Sequence, residues 1–333
     1  MAFEEWGRRI VLNEKPADKY CFPSKIQFHI KSLLILKIAI FFSLFCCNRP
    51  KNSDLYRSNA PKPRIISFAP SITETVYALG FQEHLVGVTD FCNYPPEAVQ
   101  LPRVGGYIDP NYEQILRLKP EVAILLKEHG PLIAFFEKHH TKVVKIDDEN
   151  LAGILSSFSM IGAACGNRSR GDSLAKMVDS ALKTPLSSIK KRPKVLFCVG
   201  RDKPGSGTIG KVFLAGPRTF YSELIDRAGG ENAIADSTFA YPSIAGEGII
   251  HLQPDMIIDV MASNESIDPE RVNADWYELA MLPAVKTGAV YPLTGKYVSI
   301  PGPRIVYIFN DLHRCIRDWE ARIARGSACL RFK

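Results

Sequence analysis

The chain has 333 residues, 46% of them hydrophobic and 23% charged, with a mean hydropathy of −0.04. These values exclude a disordered chain and a polytopic membrane protein, and they leave material for about two domains. The net charge of +7 sits at one end: residues 1–62 hold 11 Lys or Arg against 5 Asp or Glu, whereas residues 63–333 hold 31 against 30. A body of net +1 lacks the concentrated positive surface that neutralises phosphates, so nucleic acid is not an expected partner.

In chain order, residues 1–47 read as a leader. A basic flank from Lys25 precedes an apolar run from Leu33 to Cys47 that includes Lys37. The run is shorter than the roughly 20 residues of a spanning helix and fits an export signal. Its end resembles a bacterial lipoprotein signal: Leu44 stands three residues before Cys47, the candidate lipidation site, although Phe45 and Cys46 depart from the usual small residues. Residues 48–63 are polar with three prolines and read as a tether. Export would place the body in an oxidising compartment. Its five cysteines, Cys92, Cys165, Cys198, Cys315 and Cys329, are odd in number and lack a C-x-x-C, so buried thiols with at most one or two bridges are expected.

From residue 64 short strands alternate with helices, which predicts an α/β protein with largely parallel sheets. Strands are expected at 64–68, 85–88, 122–126, 142–146 and 194–199. Helices are expected at 71–79, 111–118, 132–139 and 220–228, with a longer helical stretch over 151–189 and a last helix over 304–325. An internal repeat organises this series. Glu113-Gln-Ile-Leu-Arg-Leu-Lys-Pro120-Glu-Val-Ala-Ile-Leu aligns without gaps to Glu247-Gly-Ile-Ile-His-Leu-Gln-Pro254-Asp-Met-Ile-Ile-Asp, an offset of 247 − 113 = 134. One copy in each half predicts two similar lobes, over 64–165 and 193–333, joined by one long backbone helix within 166–192, with a ligand cleft between them.

Gly205-Ser-Gly-Thr-Ile-Gly210-Lys211 fits a nucleotide-binding glycine pattern, but that reading needs a helix opening at Gly210, and Val212 onward reads as a strand. The seven histidines form no metal-ligating spacing, no G-x-S-x-G is present, and no cysteine stands beside a plausible base. No catalysis, resident metal or cofactor is therefore expected. Aromatics instead gather in turn-like segments, among them Phe91, Tyr94, Tyr107, Phe239 and Tyr241. Rings placed there suit the wall of a large flat ligand.

At these residues the chain resembles a known family. Pro63-Arg-Ile-Ile-Ser-Phe-Ala-Pro70-Ser-Ile-Thr-Glu74, Leu85-Val-Gly-Val-Thr-Asp90-Phe-Cys-Asn-Tyr-Pro-Pro96, Leu101-Pro-Arg-Val-Gly-Gly106-Tyr and Pro301-Gly-Pro-Arg304 are similar to the periplasmic cobalamin-binding proteins. These belong to the helical-backbone solute-binding proteins of ABC importers, a class that also carries ferric siderophores and haem. The resemblance implies a monomeric receptor, exported and lipid-anchored, at the outer face of the cytoplasmic membrane or in a periplasm. Pro70, Ser71, Phe91, Tyr107 and Tyr241 would contact the ligand, and Glu113 and Glu247 would dock on the membrane permease. A corrinoid is the first expected ligand, and a ferric siderophore or haem the alternative. A nucleotide-dependent enzyme built on Gly205 to Lys211 is the distant one.

Overall fold

The computed structural model describes residues 62–183, 191–261 and 268–329, with side chains to residue 325. The leader, Cys47 and nearly all of the tether lie outside the described residues. The first lobe opens with β1 (Ile65–Ser67), α1 (Pro70–Ala78) and β2 (Leu85–Val88), continues through α2 (Tyr112–Leu118) and β3 (Val122–Leu126), and ends with α3 (Gly130–Lys138) and β4 (Lys142–Ile146). Its four strands are parallel, in the order β2-β1-β3-β4. Alternation along β1 sends Ile65 and Ile66 into different buried clusters on the two faces of the sheet.

A helical hairpin follows, α4 (Leu151–Ala164) and α5 (Arg168–Ala181). Asn150 and Asn167 cap the two helices by accepting from the Gly153 and Arg170 N–H groups at 2.9 and 3.1 Å. The single stretch expected over 151–189 is thus two helices, because Cys165 caps the first and Gly166 turns the chain at φ +87°, a left-handed conformation that glycine adopts without steric cost. Within the segment 166–192 the described helix is α5 alone. It spans the lobes all the same: Arg170 donates to the Leu79 carbonyl at 3.1 Å, and Asp179 pairs with Arg227 of the second lobe at 3.2 Å.

The second lobe contains β5 (Lys194–Arg201), β6 (Val212–Leu214), α6 (Phe220–Arg227), β7 (Glu231–Asn232), β8 (Ser243–Ile244), α7 (Gly246–Leu252), β9 (Met256–Val260), α8 (Pro269–Asp275), α9 (Pro283–Lys286), β10 (Val290–Leu293) and α10 (Ile305–Cys329). Its sheet runs β10-β9-β5-β6-β8, parallel except at β6 and β8, and β7 also pairs with β5. The repeat extends to backbone detail. α2 and α7, and then β3 and β9, are displaced by the same 134 residues (246 − 112 and 256 − 122). Each helix ends on a left-handed non-glycine residue, Lys119 at φ 46° and Gln253 at φ 47°, just before its proline. These residues terminate the helices, and the prolines keep them from continuing.

The lobes share a core. Ile72 and Val76 of α1, Phe158 of α4, Leu174 and Val178 of α5, Phe197 of β5, Leu224 of α6, and Ile308 and Trp319 of α10 belong to one continuous buried cluster. Separate clusters cover the outer face of each sheet. Cys92, Cys165 and Cys198 are free and buried, Cys315 is buried, and burial raises the first three thiols above their ordinary pKa. Close approach of α4 and α5 depends on Gly171, where an added Cβ would lie 2.2 Å from the Phe158 carbonyl oxygen. Gly171→Ala is therefore expected to cost about 1–3 kcal/mol through overpacking, read from the urea midpoint.

Candidate ligand cleft and docking faces

Ligands of parallel α/β sheets bind beyond the carboxyl ends of the strands. In the first lobe, Phe91 follows β2 and Tyr107 follows the Arg103–Gly106 segment, and both are brought to that edge. They are 65% and 55% exposed. The Asp90 N–H donates to the Gly105 carbonyl at 3.3 Å, and the Phe91 ring lies 3.3 Å from where a Cβ on Gly106 would stand, so the two aromatic segments lie side by side. Gly105, at φ +77°, leaves no room for a side chain: an added Cβ would meet the Asp109 carbonyl oxygen at 2.4 Å.

Tyr107 stacks on His129 from the loop after β3, with centroids 4.8 Å apart and planes within 5°. His129 is only 4% exposed and its Nδ1 has no hydrogen-bond partner. Burial holds its pKa below the ordinary histidine value.

Tyr241, 46% exposed, belongs to the second lobe and makes no ring contact with Phe91 or Tyr107. Burial of its hydroxyl and the charges of Asp148 and Glu149 push its pKa up to about 12, which ties it electrostatically to the loop after β4. Pro70 and Ser71 are placed differently from these rings. Pro70 opens α1 half-buried, and Ser71 is buried at the seam, where a Cβ on Gly302 of the second lobe would stand 3.3 Å from its Cα.

The seam is closed by a pairing that sequence reasoning missed. Arg304, just before α10, donates from Nε to Glu74 Oε2 at 2.8 Å and from Nη2 to Glu74 Oε1 at 2.5 Å. Both residues are buried, and the guanidinium also lies 3.9 Å from the centroid of the Tyr94 ring. Burial pushes the Glu74 carboxyl above its ordinary value, and Arg304 opposes that push. A signal was present in the sequence: Glu74 interrupts the apolar face of a helix, and Arg304 stands directly before the apolar run Ile305–Phe309. Two further contacts cross nearby. Phe220 N–H donates to the Glu149 carbonyl at 2.8 Å, and Leu151 N–H donates to Glu223 Oε1 at 3.1 Å.

The glycine loop is not a phosphate cradle. Gly205 and Gly207 N–H groups donate to the two carboxylate oxygens of Asp275 at 2.6 and 2.5 Å, and Arg201 Nη2 donates to Asp275 at 2.7 Å. Ile209 N–H donates to Glu278. The donors an anion would need are thus bonded to acids of the chain itself, and β6, not a helix, follows Gly210. This corrects the nucleotide-enzyme alternative.

Glu113 and Glu247 are exposed second residues of the equivalent helices α2 and α7. Each helix leads back into a strand of its own sheet, so its amino end lies toward the carboxyl edge, on the side of the aromatic loops. Among the described residues no group of three His, Cys, Asp or Glu side chains comes together to hold a metal ion, and no helix is long and apolar enough to cross a membrane.

Two lobes that share a core, with apolar rings left uncovered where their sheets end, define a solute-binding protein. The same conclusion follows from comparison with known proteins. The chain belongs to the periplasmic binding protein family, which it matches over residues 65–297. It is 28% identical over 275 residues to an ABC transporter substrate-binding lipoprotein of Bacillus subtilis, YvrC, covering 80% of this chain and 83% of that one. It is 26% identical over 271 residues to the vitamin B12-binding protein of Vibrio parahaemolyticus, covering 80% and 92%. Among solved structures, the periplasmic heme-binding protein RhuT from Roseiflexus superposes with a TM-score of 0.66 at 27% identity, covering 78% of this chain and 99% of that one.

Proposed function

We propose that the chain is the solute-binding receptor of an ABC importer and that it captures cobalamin or a related corrinoid between its lobes. The exposed rings of Phe91, Tyr107 and Tyr241 carry this reading, because a protein with a large core leaves such side chains uncovered where a flat apolar partner will cover them. The likeness to vitamin B12-binding proteins supports the ligand class. The likeness to a lipoprotein supports export and anchoring through Cys47. The receptor acts as a monomer and catalyses no reaction, and delivery to the permease proceeds through Glu113 and Glu247. Because the lobes share a core, closure on the ligand is small.

Haem is the second reading, favoured by the likeness to the heme-binding protein. Calorimetric titration with cyanocobalamin, haem and a ferric siderophore separates the candidates. Cobalamin is expected to bind with a submicromolar Kd, and Tyr107→Ala and Tyr241→Ala are each expected to weaken it about tenfold. Cobalamin binding weaker than micromolar, beside tight haem binding, would reverse the order of the two readings.

A further inference from the structure

The carboxyl edge of the first sheet carries more acid than its packing uses. β3 delivers Lys127, Glu128 and His129 to this edge, and β4 delivers Asp147, Asp148 and Glu149 beside them. Lys127 is bound to Asp147 at 2.8 Å and to Glu149 at 3.1 Å. Asp148 has no cationic partner among the described residues. On one side it adjoins the loop in which buried His129, its Nδ1 unpartnered, backs Tyr107. On the other, the chain crosses at once to the second lobe through Glu149 and Leu151, and the Tyr241 hydroxyl feels the Asp148 charge. Asp148 therefore sits on the loop by which the first lobe reaches the second, beside the segment that backs Tyr107 and within electrostatic range of Tyr241.

We propose that Asp148 is a specificity-determining residue of the cleft: its carboxylate accepts hydrogen bonds from ligand N–H groups, such as the peripheral amides of a corrinoid, and repels ligand carboxylates, such as the propionates of haem. This rests on the corrinoid reading and deepens it. A carboxylate can only accept, so an uncharged ligand fringed with amides supplies what it lacks, and hydrogen bonds to an ionised acceptor are about twice as strong as neutral ones. Two propionates at the same edge would meet Glu128 and Glu149 as well.

The charged groups that act on Asp148 are Glu128 from the loop after β3 and Asp147 and Glu149 on its own loop. Its charge reaches the Tyr241 hydroxyl of the second lobe, while Lys127 is bound to Asp147 and Glu149. Burial first, and then the charges of Glu128 and Asp147, push its carboxyl up to about 7. The residue is thus about one-tenth ionised at pH 6 and about nine-tenths at pH 8, and a ligand that binds only the ionised form gains about tenfold in affinity between them.

The test is calorimetric titration of the whole wild-type protein, Asp148→Asn and Asp148→Glu in parallel, with cyanocobalamin and with haem, at pH 6 and pH 8. Wild type is expected to bind cobalamin about tenfold more tightly at pH 8. Asp148→Glu should keep a pH dependence, whereas Asp148→Asn should be flat and should bind haem more tightly than wild type does at pH 8. Cobalamin binding that is independent of pH in wild type, or unchanged in Asp148→Asn, overturns the role of Asp148 and leaves the corrinoid reading standing. Failure of wild type to bind cobalamin at either pH overturns both.

Discussion

Glu74→Ala or Arg304→Ala is expected to destabilise the protein by about 3–5 kcal/mol, the cost of leaving one member of a buried ion pair uncompensated. The two charges come from different lobes, 230 residues apart, and meet through two hydrogen bonds at the seam. Either single substitution strands a charge that the shared core cannot solvate. Glu74 and Arg304 are 4% and 5% exposed, so little water reaches the pair, and burial raises the Glu74 carboxyl against the pull of Arg304. The double variant Glu74→Met/Arg304→Met removes both charges and keeps apolar volume, so it should lose much less than the two single losses combined. Urea unfolding of the double variant beside Glu74→Met and Arg304→Met measures the coupling, and a double variant as unstable as the sum of these singles would show that the two charges do not act as a pair.

The second large effect is on transport. Glu113→Ala combined with Glu247→Ala is expected to abolish ligand uptake while leaving ligand affinity unchanged. Both side chains are exposed, so stability should move by no more than about 0.5 kcal/mol. Each would lose a partner that becomes buried on docking, at about 2 kcal/mol or more per pair, so the double variant should couple to the permease roughly a thousandfold more weakly. Uptake of labelled ligand by cells or vesicles holding the importer, set beside calorimetry on the isolated receptor, separates the two roles. A loss of ligand affinity in the double variant would mean that these glutamates belong to the cleft.

Much of this architecture was legible in the residues. Apolar runs bounded by Gly and Pro placed the strands from β1 to β5, and the 134-residue repeat gave the duplication of α2–β3 as α7–β9. The turn between α4 and α5 is not marked within the helical stretch over 151–189, because a three-residue break at Cys165-Gly166-Asn167 hardly interrupts helical periodicity, and only the left-handed glycine reveals it. β10 escaped notice because Pro292 lies within it, which an edge strand tolerates since it pairs on one side only. The exposed aromatics were found because turn segments give rings little reason to be there. Asp148 and His129 were not, since each depends on which loops the fold places side by side, and Glu74 and Arg304 show only as two separate charges at apolar positions, with nothing in one sequence to join them.

The continuous core also bears on what the internal repeat means. A duplicated unit can remain a module that folds by itself, yet here α10, the last helix made, packs into the same buried cluster as α1, the first described helix. A fragment ending before Ile305 would lack Ile308, Leu312, Ile316 and Trp319, residues by which α10 enters that cluster. The buried cluster is therefore complete only once α10 has docked. The repeat gives each half its own helix–strand unit, while the packing joins the two halves through one interior.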